Sequence, residues 1–85
     1  MRSFERWEEL QNLSGRVVLN HLLFGDSVYE CDSLQVINNE NKLGIIIKGQ
    51  ELFVYKDRVE YFCVSNNIYE IKDNLLSIRV IVNKL

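Results

Sequence analysis

The stretch from Lys42 to Lys56, KLGIIIKGQELFVYK, is apolar at successive rather than alternating positions. A strand sends neighbouring side chains to opposite faces, so Leu43, Ile45 and Ile47 share one face while Gly44 and Ile46 share the other. Beyond Gly49 the pattern repeats, with Leu52 and Val54 opposed to Phe53 and Tyr55. A strand with two apolar faces needs cover on both. A helix of the same chain, a sheet curled on itself, a second copy or a partner protein could supply the second layer.

The rest of the chain has a plainer period of two. In the last segment Leu76, Ile78, Val80 and Val82 face one way, and Ser77, Arg79 and Asn83 the other. Turn-forming residues divide the chain at short intervals: Gly25-Asp26, Asn38–Asn41, Gly49-Gln50, Asp57-Arg58, Ser65–Asn67 and Asp73-Asn74. Glycine first in a two-residue loop predicts type II′ hairpins at Gly25-Asp26 and Gly49-Gln50, and Asn and Asp tolerate the backbone that the other turns need. Residues 16–24, RVVLNHLLF, also carry an i,i+4 helical spacing, but Val17-Val18 and the turn that follows favour a strand.

At the N-terminus the period changes. Phe4, Trp7 and Leu10 recur every third residue, Leu13 drifts off that stripe, and Glu5, Arg6, Glu8 and Glu9 take the polar side. With Ser3 as cap and Gly15 as stop, this predicts an amphipathic helix over residues 3–13, with Arg2, Arg6, Glu5 and Glu9 pairing along it. The expected fold is therefore α+β, mainly β. One domain, residues 1–85, packs this helix on a six- to seven-stranded antiparallel meander over residues 16–83 that can curl into a small barrel.

Composition narrows the function more than it names it. The chain is 47% hydrophobic and 26% charged with a net charge of −2, an ordinary globular profile without the basic footprint of a free nucleic-acid binder. Cys31 and Cys63 stand far apart with no CxxC pair, which reads as two small core hydrophobes in a reducing cytoplasm. There is no apolar leader and no run long enough to span a membrane. Alanine, threonine and proline are absent while Asn, Ile, Lys, Phe and Tyr abound, as in the AT-rich genes of low-GC bacteria and their phages.

No nucleophile elbow, phosphate loop, zinc motif or EF-hand loop occurs. The single histidine, His21, sits in apolar LNHLLF, and Asp26, Asp32, Asp57 and Asp73 fall in or beside turns. Lys42, Lys48, Lys56, Arg58, Lys72 and Arg79 are dispersed among acids. No enzyme activity, metal or cofactor is expected. The expectation is a small cytoplasmic module that binds another protein, or pairs with its own copy. As a phage or mobile-element inhibitor, or as an accessory protein, it would occupy a partner's surface. The candidate contacts are Phe53, Tyr55 and Tyr61 with Glu51 and Glu60. Trp7 serves either as the helix anchor or as a further contact.

Three short segments carry a resemblance: Gly15-Arg16-Val17-Val18-Leu19, Phe24-Gly25-Asp26, and Ile45-Ile46-Ile47-Lys48-Gly49. Together they look loosely like the Sm-like family of RNA-binding ring proteins, the last being similar to that family's second motif. The resemblance implies a helix on a strongly bent sheet, an oligomeric ring, and RNA bound at a rim containing Asn41 and Lys48.

Overall fold

The structure is a computed structural model and describes residues 4–83. Period-two alternation produces eight antiparallel strands: β1 (Gly15–His21), β2 (Gly25–Cys31), β3 (Gln35–Asn38), β4 (Lys42–Ile47), β5 (Gln50–Tyr55), β6 (Tyr61–Ser65), β7 (Ile68–Lys72) and β8 (Leu76–Val82). They form two sheets, not one meander. The larger has the order β2-β1-β8-β7-β6 and the smaller β3-β4-β5, so neither closes into a barrel. The extra strand comes from SVYECDSLQVI, which breaks at Asp32-Ser33 and changes sheet there.

Strand β8 returns to pair with β1, setting Val80 opposite Val17 and Ile78 opposite Leu19. The inward faces of both sheets share one core. Val17, Leu19, Tyr69, Ile71, Ile78 and Val80 meet Leu34, Leu43, Ile45, Ile47 and Val54, with Trp7 and Leu10 among them. Leu76 and Val82 pack at its border, so the inward set expected for the last strand is observed.

The expected α-helix over residues 3–13 does not form. Among the described residues, the N-terminal segment is a 3₁₀ helix, Glu5–Leu10, and a second short one spans Lys56–Arg58. Three residues per turn stack positions i and i+3, which suits the Phe4, Trp7, Leu10 spacing better than an α-helix does. Trp7 and Leu10 are fully buried while Leu13 is exposed. The chain turns away at Asn12, where φ is 69°, its N–H donating to Leu34 O at 2.8 Å. Gly15 therefore opens β1 and does not stop a helix. The predicted cap Ser3 and the residue Arg2 lie outside the described residues. Arg6 pairs with Glu9 at 3.1 Å, and Tyr69 Oη donates to Glu9 Oε1 at 2.7 Å, tying the segment to β7. Those two hydrogen bonds hold Glu9 below the usual carboxylate range, while burial and then the Glu9 bond push the Tyr69 hydroxyl up.

The two faces of β4 are covered unequally. Its inner face meets the core. On its outer face the register sets Ile37, Gly44 and Phe53 in one row across the sheet. Ile37 is buried there, outside the central cluster, and Lys42 Nζ lies 4.3 Å above the Phe53 ring. The row closes because Gly44 has no side chain. A Cβ built on it would overlap the Leu52 carbonyl oxygen and come within 2.7 Å of Phe53 Cβ.

Two hairpin turns fall one or more residues from their predicted places. Lys48 and Gly49 both take positive φ, 52° and 80°, which is a type I′ turn joining Ile47 to Gln50. Between β1 and β2, His21 faces Gly25 and the loop is Leu22–Phe24. Gly25 supplies the left-handed residue, with φ of 85°, that closes a three-residue loop.

Gly44→Ala is expected to destabilise the fold by about 3 kcal/mol in urea denaturation, the range of a core forced apart. A loss below about 0.5 kcal/mol, the scatter of ordinary surface substitutions, would contradict the packed row.

Candidate functional site

Strand register gathers three chain segments at one end of the five-stranded sheet. His21 lies opposite Leu76, Ser77 opposite Lys72, and Lys72 opposite Tyr61. The β1–β2 loop, the β7–β8 turn and the start of β6 therefore share this end. Leu22, Leu23 and Phe24 are exposed to 72%, 73% and 85%, Leu75 is exposed beside them, and Tyr61 is exposed at the same end three strands from β1. Single exposed apolar residues are ordinary, but three in succession at a loop tip contribute nothing to their own core. Proteins rarely leave large apolar patches exposed without a use for them.

The tip is held in place. His21 Nδ1 accepts the N–H of Leu23 at 3.1 Å and of Phe24 at 3.3 Å, and its ring stacks on Phe24 with centroids 4.5 Å apart. An acceptor at Nδ1 places the imidazole proton on Nε2. Leu22 N–H donates to Leu75 O at 2.8 Å, joining the two loops. Asp73 Oδ1 accepts the N–H of Leu75 at 2.8 Å and of Leu76 at 2.7 Å, which fixes the second. His21, which the sequence places in an apolar run, and Asp73, which it places at a turn, thus organise this end.

A cleft of about 460 Å³ lies beside the tip, lined by Asn20, His21, Glu70, Lys72 and Asp73 among others. Three of its polar groups are engaged. His21 Nδ1 and Asp73 Oδ1 accept the loop amides, and Glu70 pairs with Arg79 at 3.5 Å. No cluster of three or more His, Cys, Asp or Glu able to hold a metal occurs among the described residues. Burial, then Glu30 and Asp32, push the Cys31 thiol up and so disfavour the thiolate. The hydrogen bond with Cys63 comes first among the causes that push the Tyr61 hydroxyl up. Cys31 and Cys63 are both free thiols, each half-buried. No helix among the described residues is long and apolar enough to cross a membrane.

The sequence-derived contacts divide between the sheets. Glu51, Phe53 and Tyr55 share the outer face of β5, where Tyr55 meets the Phe53 ring edge-on and Arg58 lies 5.9 Å from the Tyr55 ring. Glu60 and Tyr61 belong to the apolar end of the other sheet. Trp7 is fully buried and donates from Nε1 to Gly44 O at 2.8 Å, so it is the anchor and presents nothing to a partner. Asn41 precedes β4 and Lys48 follows it. They sit at opposite ends of a six-residue strand, roughly 20 Å apart at strand rise, and do not form one rim. The Leu22–Phe24 tip was missed because LLF next to a glycine reads as the end of a buried strand.

No protein-family model matches the chain, and no curated protein or solved structure is significantly similar to it.

His21→Ala should leave the core intact while freeing the tip. Amide exchange at Leu23 and Phe24 is expected to accelerate, with a stability loss of about 1 kcal/mol for the lost hydrogen bonds. Unchanged exchange at both amides would show that the imidazole does not hold the loop.

Proposed function

We propose that the chain is a non-catalytic protein-binding module whose principal contact is the Leu22-Leu23-Phe24 tip with Leu75 beside it and Tyr61 farther along the same end of the sheet. The observation that carries this reading is the exposure of three consecutive large apolar side chains on a loop pinned by His21. Burying each in a partner's pocket is worth roughly 1.5–3 kcal/mol. A loop already ordered loses little further entropy on docking. Asp26, Glu60, Lys72 and Asp73 supply a polar rim around this apolar centre, the usual anatomy of a specific interface.

Phe53 and Tyr55 are secondary contacts in this account, because each already engages a cation of its own chain. The composition supports a setting in a low-GC bacterium or one of its phages, the module acting as an inhibitor or accessory subunit of a host protein. An RNA-binding ring is disfavoured by the separation of Asn41 and Lys48 and by the acidic net charge.

The test compares the wild-type chain with the Leu23→Ser/Phe24→Ser variant, both immobilised in a lysate of a low-GC bacterium. The variant should keep its fold by circular dichroism and lose the proteins that wild type retains, with affinity down at least about a hundredfold for two lost anchors. Equal retention of the same proteins by both chains would refute the tip as the contact. Light scattering across a wide concentration range separates a second copy from a foreign partner.

A further inference from the structure

Strand β2 is an edge strand, paired with β1 alone through an unbroken register from Gly25 to Cys31. No proline or bulge interrupts it. The edge of β3 is different, being covered by the N-terminal segment: Gln11 Oε1 accepts the Val36 N–H at 2.9 Å, and Asn38 Nδ2 donates to Phe4 O at 3.1 Å. An unprotected edge offers a row of backbone donors and acceptors to an incoming strand.

The side chains of β2 state what that strand should carry. Asp26, Val28 and Glu30 alternate on the outer face, all exposed, with Val28 at 59%. Directly opposed residues on neighbouring strands favour opposite charges and disfavour like ones. The outer face of this sheet already follows that rule, pairing Arg79 of β8 with Glu70 of β7 and Arg16 of β1 with Glu30 of β2. The next place beyond Glu30 calls for a cation, and so does the place beyond Asp26. Glu30 already shares its carboxylate with Arg16, so Asp26 carries the larger part of the selection. A second copy adding antiparallel about Val28 would set Asp26 against Glu30 twice, so the edge repels itself.

We propose that β2 receives an extended segment of the partner protein, added antiparallel, with basic residues opposite Asp26 and Glu30 and an apolar residue opposite Val28. The inference rests on the protein-binding reading above and names the chemistry of the partner. It is continuous with the tip, because the edge begins at Gly25, directly after Phe24. One bound segment would lie along β2 and end against the apolar loop.

The experiment uses the full chain, isotope-labelled, and two peptides about as long as β2, a Lys–Val peptide centred on Lys-Thr-Val-Thr-Lys and a Glu–Val peptide centred on Glu-Thr-Val-Thr-Glu, which set Val opposite Val28 and the charges opposite Asp26 and Glu30. A third probe is the Lys–Val peptide N-methylated at every second residue. The Lys–Val peptide should shift and slow the exchange of amides in β2 and leave those of β5 unchanged. N-methylation should weaken it by about tenfold or more, the equivalent of one or two backbone hydrogen bonds. Asp26→Lys, and separately Asp26→Lys/Glu30→Lys, should move the preference toward the Glu–Val peptide, with an unchanged β4 amide pattern reporting the fold. Equal binding of the N-methylated probe, protection at β5 or β6 instead, or no binding would each overturn the edge proposal. Repeating the titration on Leu23→Ser/Phe24→Ser separates the two readings. Retained Lys–Val binding there supports the edge whatever becomes of the tip, and peptide binding lost with the tip substitutions overturns the edge as an independent contact.

Discussion

One hydrogen bond sets the arrangement of the whole molecule: the indole N–H of Trp7, fully buried, donating to the carbonyl of Gly44. An indole placed in a core must find an acceptor, and a carbonyl in the middle of the smaller sheet provides it. The contact brings a segment far off in sequence against β4, and Leu10 and Phe4 follow Trp7 into or beside the core. On the other face of the same residue, the missing side chain lets Phe53 and Ile37 close over the strand. Gly44 thus serves both sides, its carbonyl taking the indole and its missing side chain making room for Phe53. The two sheets share one core because this centre is filled.

How far the sequence reveals this depends on whether the determining contact is local. The alternation of Leu76, Ile78, Val80 and Val82 placed β8 correctly, and Val17-Val18 decided for strand at β1. The doubly apolar run corresponds to β4, whose inner face is buried while Lys42 and Ile46 on its outer face stay half-buried. The partner of β8 was not legible, since pairing β1 with β8 joins the two ends of the chain and leaves no local mark. The N-terminal helix was misread because Phe4, Trp7 and Leu10 were fitted to an α-helix. A spacing of three, with Leu13 falling off the stripe, is what a 3₁₀ segment gives. At Gly25 the residue was right and its role was shifted. It closes a three-residue loop, and that shift exposes Leu22–Phe24.

The same shift brings to the surface apolar residues that the sequence places within a strand. Apolar residues that a two-residue turn would have kept within paired strand instead crown the end of the larger sheet, where His21 and Asp73 fix their loops. Phe53 and Tyr55, expected on an open face, each lie near a cation of the chain, Lys42 and Arg58, with Tyr55 still exposed. The core around Trp7 holds the scaffold, and the exposed tip and the β2 edge lie outside it.

The account stands on the Trp7 lock, and the single tryptophan makes it directly measurable. Hydrogen exchange of the Trp7 indole N–H, followed by NMR, reports the free energy of breaking that contact. The account predicts exchange only through global unfolding, with an opening free energy equal to that from denaturant melting. Exchange through a smaller, local opening would mean that the N-terminal segment merely rests on the sheets, and that something else holds them together.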